Sequence, residues 1–289
     1  MTFSIMDVAY EGFRVTRRKP LAVLSWAVVV AALYALFQWA AGPWMLIMFE
    51  QAKALEGVTQ PTPEQVAPAA QAWGVIMLYS LPLVVIGAAL LAPAIVRSVL
   101  SPEDSRMAYM RFGKAEAQVL AVKVMMLVTQ CLLSMISFMV VGLLLGLAVA
   151  MPVLWLVAFV AMVAAIFATV WLALRFSLAV PATLAEGRIA LDSSWRMTKG
   201  QTSRLLGVVA MSVLFSLLVS LLLSMTLAPL NLLMPITETV DPVERARALL
   251  AQGAVGVIIA AIINGALMTA QFSLIYAPFA AVYQRLKAV

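Results

Sequence analysis

Residues 119–148, VLAVKVMMLVTQCLLSMISFMVVGLLLGLA, carry a single charge, Lys123, in a run long enough to cross a bilayer. Hydrocarbon offers a backbone no hydrogen-bond partner, so a crossing segment must satisfy itself as a helix or a closed barrel. A long apolar run without strand-like alternation demands the helix. Immediately before this run stand Met110-Arg111-Phe112-Gly113-Lys114. The same arrangement of apolar residue, arginine, apolar residue and base recurs as Phe13-Arg14-Val15-Thr16-Arg17 and as Trp195-Arg196-Met197-Thr198-Lys199. Each copy precedes apolar sequence sufficient for two crossings. The chain therefore reads as three copies of one unit, a basic interfacial segment followed by a transmembrane hairpin.

Composition agrees. With 64% hydrophobic and 11% charged residues and a mean hydropathy of +1.04, no water-exposed surface could absorb the apolar side chains. Six spans are predicted, roughly 21–42, 73–98, 119–148, 152–180, 205–233 and 249–283. The expected fold is an all-α, polytopic transmembrane helical bundle forming one integral membrane domain over 1–289. Its parts are a cytoplasmic interfacial segment (1–19), a first hairpin (20–100), an interfacial helix with a second hairpin (101–185), and an interfacial segment with a third (186–289). The first apolar run follows a basic stretch but is too long for a signal peptide and lacks a convincing small-residue cleavage site, so it reads as a retained span.

Charge sets the expected orientation. Of the 19 bases, 16 fall on the side of the termini and of the second-to-third and fourth-to-fifth connections; only Lys53, Arg245 and Arg247 fall opposite. The positive-inside rule then places both termini in the cytoplasm. The basic excess, with a pI near 9.7, points to anionic lipid before nucleic acid. Trp39, Trp44, Trp73 and Trp155 fall near predicted outer ends, where an amphipathic indole suits the headgroups.

Helix-start chemistry marks the joints. Ser101-Pro102-Glu103-Asp104 predicts a short surface helix over about 102–112, Asp241-Pro242-Val243-Glu244 a similar start before the sixth span, and Thr62-Pro63-Glu64 another within the long connection 50–71. Each even-numbered span carries a proline near its inner end, Pro93, Pro181 and Pro278, expected to kink the helix at the headgroups.

The stretch Arg175-Phe176-Ser177-Leu178-Ala179-Val180-Pro181, then Glu186-Gly187 and Ser194 through Gly200, resembles the signature of a broad family of six-helix bacterial membrane proteins that includes the membrane domain attached to some glycerophosphodiester phosphodiesterases. The opening segment Gly12-Phe13-Arg14 through Lys19-Pro20 is similar to the start of that domain. The likeness is specific over about 175–206 and otherwise covers general layout. It implies a fold and a membrane setting; no phosphodiesterase barrel is present here, so no catalytic residue carries over.

Histidine is absent and Cys131 is the only cysteine. That removes the commonest general base, the commonest metal ligand and every histidine-based triad; no phosphate loop or dinucleotide fingerprint occurs. The sequence therefore predicts no enzyme, no catalytic or metal site and no cofactor. The candidate lipid-phosphate ligands are Arg175, Arg196, Lys199, Arg14, Arg111 and Lys114, because a guanidinium fork matches phosphate geometry. Arg175, inside the fourth span, has three readings: snorkelling to the headgroups, an anion site with Arg196 or Lys199, or an ion pair with Glu186. Lys123, Arg97 and Arg204 read as orientation anchors. Gln130 and Asn264 read as helix-to-helix hydrogen-bonding groups, and Gly142 and Gly146 have the GxxxG spacing of close helix packing.

The expected function is a non-enzymatic membrane protein that engages phospholipids, anionic ones preferentially, through its basic segments, and so organises, shapes or senses the bilayer. Two alternatives stay open: a transporter or channel for a lipid or small amphiphile, and an accessory subunit of a lipid-metabolising enzyme. A protein partner or a second copy of the chain is compatible with any of these; nucleic acid is not expected.

Overall fold

Six long helices run back and forth, joined at one end by short helices and turns. The computed structural model describes residues 4–58, 60–149, 151, 153–233, 243, 244, 247 and 253–288, with backbone alone over 226–233. The elements are α1 (Ile5–Ala9), α2 (Glu11–Arg18), α3 (Pro20–Ala54), α4 (Pro63–Leu100), α5 (Lys114–Ala148), α6 (Leu154–Phe176), α7 (Ala179–Glu186), α8 (Leu191–Met197), α9 (Thr202–Leu233) and α10 (Gly253–Lys287). No strand occurs among the described residues, and six helical segments are long and apolar enough to span a membrane. The chain is an all-α, multi-pass membrane bundle.

The helices outrun the predicted spans. At 1.5 Å per residue the 35 residues of α3 extend about 52 Å, well beyond a hydrocarbon core of about 30 Å. The connection expected over 50–71 shrinks to 55–62, because Thr62 caps α4 itself: its hydroxyl accepts from the Gln65 N–H, and the Gln65 side chain accepts from the Thr62 N–H at 2.9 Å. Thr62-Pro63-Glu64 thus starts the second span and no separate helix. The Asp241-Pro242 start lies outside the described residues.

The last helix, α10, occupies the centre and packs on α1, α2, α3, α4, α7 and α9. Lipid supplies no hydrophobic drive between helices, so close backbone approach through small residues has to hold them. At Gly265 an added Cβ would lie 2.7 Å from the Ala27 carbonyl oxygen and 2.8 Å from the Ala31 Cβ. At Gly12 it would lie 2.7 Å from the Leu274 Cα. Gly142 and Gly146, despite their spacing, face open space with nothing within 4 Å of such a Cβ. Gln130 and Asn264 also differ from expectation. Asn264 donates to its own helix at the Ala260 carbonyl, 2.8 Å, and the buried Gln130 amide nitrogen meets no acceptor among the described residues. A side-chain bond between spanning helices runs instead from Gln271 on α10 to Ser220 on α9, 2.9 Å. Cys131 is exposed on α5.

Burial concentrates at the basic end. One cluster joins Val15, Ala22, Trp26, Val30, Leu91, Ile95, Tyr109 and Ala277, and another joins Val8, Leu174, Leu178, Leu205, Val208 and Val282. The second hairpin follows suit: α5 buries Glu116, Val119 and Val122 in its first turns and then nothing until Ala148, while Phe138, Leu143, Phe159 and Phe167 stand exposed. It is anchored at one end and stands apart along the rest of its length.

One local expectation follows from a single proline and another gives way to tertiary contacts. Pro181 coincides with a break: α6 stops at Phe176 and α7 restarts at Ala179. Its ring would clash with the Ser177 carbonyl in a continuous helix, whereas in the first turn of α7 its missing N–H is not needed. Pro93 and Pro278 lie inside the uninterrupted helices α4 and α10. The surface helix expected over 102–112 does not form. Met107, Ala108 and Tyr109 instead take positive φ values of 50°, 53° and 65°, a short left-handed turn. The Trp26 indole N–H donates to the Ala108 carbonyl at 2.8 Å and Arg97 donates to the Tyr109 carbonyl at 3.4 Å, while the Tyr109 ring is buried. These bonds from α3 and α4 capture carbonyls that a helix would have used. The three basic motifs accordingly differ in conformation: the first is helical within α2, the second extended, and the third ends α8 in a turn.

Candidate functional site: the basic face

Each basic segment is held to the bundle by some of its charges and leaves others free. Ser4 caps α1, and the Asp7 carboxylate is shared by Arg14 of α2 and Arg285 at the end of α10. Arg14 also contacts Glu11 at 3.1 Å. The Arg14 and then the Arg285 guanidinium hold the Asp7 carboxyl below its usual pKa of 3.8. Arg14 is therefore committed to docking α1 and α2, whereas Arg17 and Arg18, one turn further on, are exposed and pair with no described residue.

The second segment repeats the division. Arg111 pairs with Asp104 and lowers its pKa. Lys19 reaches across to donate to the Ser98 carbonyl at 3.0 Å, the Pro102 carbonyl at 3.2 Å and the Tyr109 hydroxyl. Beneath them Arg97 meets Glu116, with side chains 16% and 9% exposed. That contact is ionic more than directional, since no described N–H or O–H is aimed at the buried Glu116 Oε1. Arg106 and Lys114 are exposed without an ion pair to a described residue, next to the exposed Met107 and Phe112. Arg97, Asp104, Arg111, Gln284 and Lys287 line a polar cavity of about 550 Å³ that opens here.

In the third segment Arg175 lies between two tryptophans, its guanidinium 5.1 Å from the Trp171 ring centre and 5.2 Å from that of Trp195. The two rings meet edge to face at 5.3 Å. Such stacking stabilises a guanidinium at low polarity, although the buried Arg175 Nε meets no described acceptor. The Arg175 carbonyl accepts from Ser194 Oγ at 2.8 Å, which pins α8 against the end of α6. Glu186, the expected ion-pair candidate, contacts Arg188 at 2.6 Å. Arg196 pairs with Asp192 at 2.9 Å, and Asp192 is held below its usual pKa chiefly by Arg188. Arg175 and Arg196 thus address different partners. Lys199 is exposed and unpaired among the described residues.

Of the six sequence candidates, Arg14, Arg111 and Arg196 hold carboxylates, Arg175 is stacked between indoles, and Lys114 and Lys199 remain available. Arg17, Arg18 and Arg106 are equally available, beyond the six candidates; for Arg17 and Arg18 the usable signal is that no acid lies within four residues, whereas Arg106 makes no described ion pair despite Glu103 and Asp104 just before it. One residue read as a simple anchor proves unusual. Lys123 donates to the Tyr276 hydroxyl at 2.6 Å and sits 4.4 Å from that ring's centre, at the edge of an apolar cavity of about 600 Å³ between α3, α4, α5 and α10. No protein-family model, curated protein or solved structure matches this chain.

Proposed function

We propose that the chain is a non-enzymatic protein of a bacterial inner membrane, both termini cytoplasmic, that gathers anionic phospholipid at its basic face and thereby organises or shapes the bilayer. One observation carries this reading. At every basic segment, bases left over after internal pairing stand beside exposed apolar side chains: Arg17 and Arg18 with Phe13, Arg106 and Lys114 with Met107 and Phe112, Lys199 with Trp195. Apolar groups that enter the headgroup region next to unpaired cations are the physical requirement for interfacial binding to anionic lipid. Each such base contributes about 1 kcal/mol near an anionic surface, an effect that salt screens.

The test is anionic-lipid enrichment around full-length protein reconstituted in mixed zwitterionic and anionic vesicles, measured with spin-labelled phosphatidylglycerol. The fourfold variant Arg17→Gln, Arg18→Gln, Lys114→Gln, Lys199→Gln should lose most of the enrichment, and added salt should mimic it. Enrichment equal to wild type in that variant, or insensitive to salt, would refute the proposal.

A further inference from the structure

Lys123 is a cation in the wrong place for an anchor. It stands nine residues into the membrane from Lys114 on α5, and Tyr276 stands nine residues in from Arg285 on α10; at 1.5 Å per residue each lies about 13 Å below the basic face. A lysine that snorkels extends toward the headgroups. This one turns sideways instead, to a tyrosine at its own depth, leaving its remaining N–H donors without a described acceptor. It also lies at the junction of two spaces. The larger, about 600 Å³, includes Leu33, Tyr34, Ala88, Leu127 and Phe272 in its wall; the smaller, about 370 Å³, lies between α4, α5, α6, α7, α9 and α10. No acidic residue lines either one.

A charged group at this depth is costly; the Tyr276 ring and hydroxyl offset part of that cost, and no described carboxylate meets the ammonium. The space beside it is apolar, falls within the ~300–1,000 Å³ typical of small-molecule sites, and is walled on one side by a hairpin that stands apart from the bundle and so leaves a lateral way in from lipid. We infer that this cavity is a binding site for an anionic amphiphile, an acyl chain ending in a carboxylate or phosphate, whose chain fills the space between α4 and α5 and whose head pairs with the Lys123 ammonium beside the Tyr276 hydroxyl. Charge complementarity selects this occupant: a neutral chain would fill the space and leave the cation unpaired.

The inference is independent of the lipid gathering proposed for the surface, and its test is run in the absence of anionic bilayer lipid so that the two can fail separately. Full-length protein in zwitterionic nanodiscs is titrated with oleate, with oleoyl lysophosphatidate and with mono-oleoylglycerol, and retained amphiphile is counted by native mass spectrometry. At least one anion should bind about tenfold or more tightly than the glycerol ester, and the preferred anion names the head group. Lys123→Gln should abolish that preference and Lys123→Arg should restore it. Gly87→Leu fills the cavity from a position whose Cβ would meet only Leu33, at 3.7 Å, so it should block all three amphiphiles while leaving the fold intact. Equal binding of the neutral and anionic amphiphiles, an unchanged preference in Lys123→Gln, or undiminished binding in Gly87→Leu would each overturn the inference.

Discussion

Removing one partner of the Arg97–Glu116 pair should destabilise the bundle by more than removing both. The side chains are 16% and 9% exposed, and Glu116 has no other described polar contact, so Glu116→Gln strands a guanidinium whose remaining contact is the Tyr109 carbonyl at 3.4 Å. Breaking a buried pair from one side costs about 3–5 kcal/mol, because the orphaned charge stays desolvated. Arg97 also lines the 550 Å³ polar cavity, through which water reaches it. The expected loss is therefore about 2–3 kcal/mol for Glu116→Gln and similar for Arg97→Met. The double variant Arg97→Met, Glu116→Gln removes both charges and should lie within about 1 kcal/mol of wild type, a coupling of about 3 kcal/mol or more. Reversible SDS unfolding in mixed micelles, followed by far-ultraviolet circular dichroism, gives all four corners of the cycle. Additive losses, or single variants within about 0.5 kcal/mol of wild type, would show that water already solvates the pair and that its burial is energetically irrelevant.

The same unfolding assay tests two backbone arguments. Gly265→Ala pushes a methyl group to within 2.7 Å of the Ala27 carbonyl and should cost about 1–3 kcal/mol by separating α3 from α10, while Gly142→Ala on the open face of α5 should cost nothing. Ala108→Gly relieves a left-handed conformation at φ 53° and should stabilise by about 0.5–1 kcal/mol; a decrease would mean that the turn is not strained. The docking of α1 and α2 should be acid-labile. Asp7 has its pKa lowered below 3.8 by Arg14 and Arg285, so folding favours its deprotonated form. The stabilisation is complete above pH 3.8 and disappears as pH falls through the lower folded-state value. Amide exchange in residues 5–18 should therefore rise only below about pH 4, and Asp7→Asn should show the fast exchange already at pH 7.

Much of this protein is a matter of local pattern, and the sequence carries it openly. Apolar run length gives six helices, because a backbone in hydrocarbon has no alternative way to satisfy its hydrogen bonds. The distribution of bases distinguishes the two ends, and the Pro181 break follows from the geometry of one residue and its neighbours four positions back. Cap signals were less dependable. Thr62 starts α4, while the equally plausible Ser101-Pro102 start yields no helix, since Trp26 and Arg97, 82 and 12 residues from their acceptors, take the carbonyls instead.

Pairing decides the rest, and pairing is a property of packing. Arg196 to Asp192 follows helical i,i+4 spacing, but other arginines are spent on carboxylates through contacts such as Asp7 to Arg285 across 278 residues, which no spacing rule along the chain foretells. GxxxG spacing pointed to Gly142 and Gly146, while Gly265 and Gly12 make the close approaches, because a glycine matters only where a neighbouring backbone arrives. The sequence by itself determined the class, the number of spans and the basic face. Only the tertiary structure set Lys123 against Tyr276, 153 residues away and beside an apolar cavity. Hydropathy acts residue by residue and can be read in order, whereas the environment of a charge is made by whichever helices fold around it.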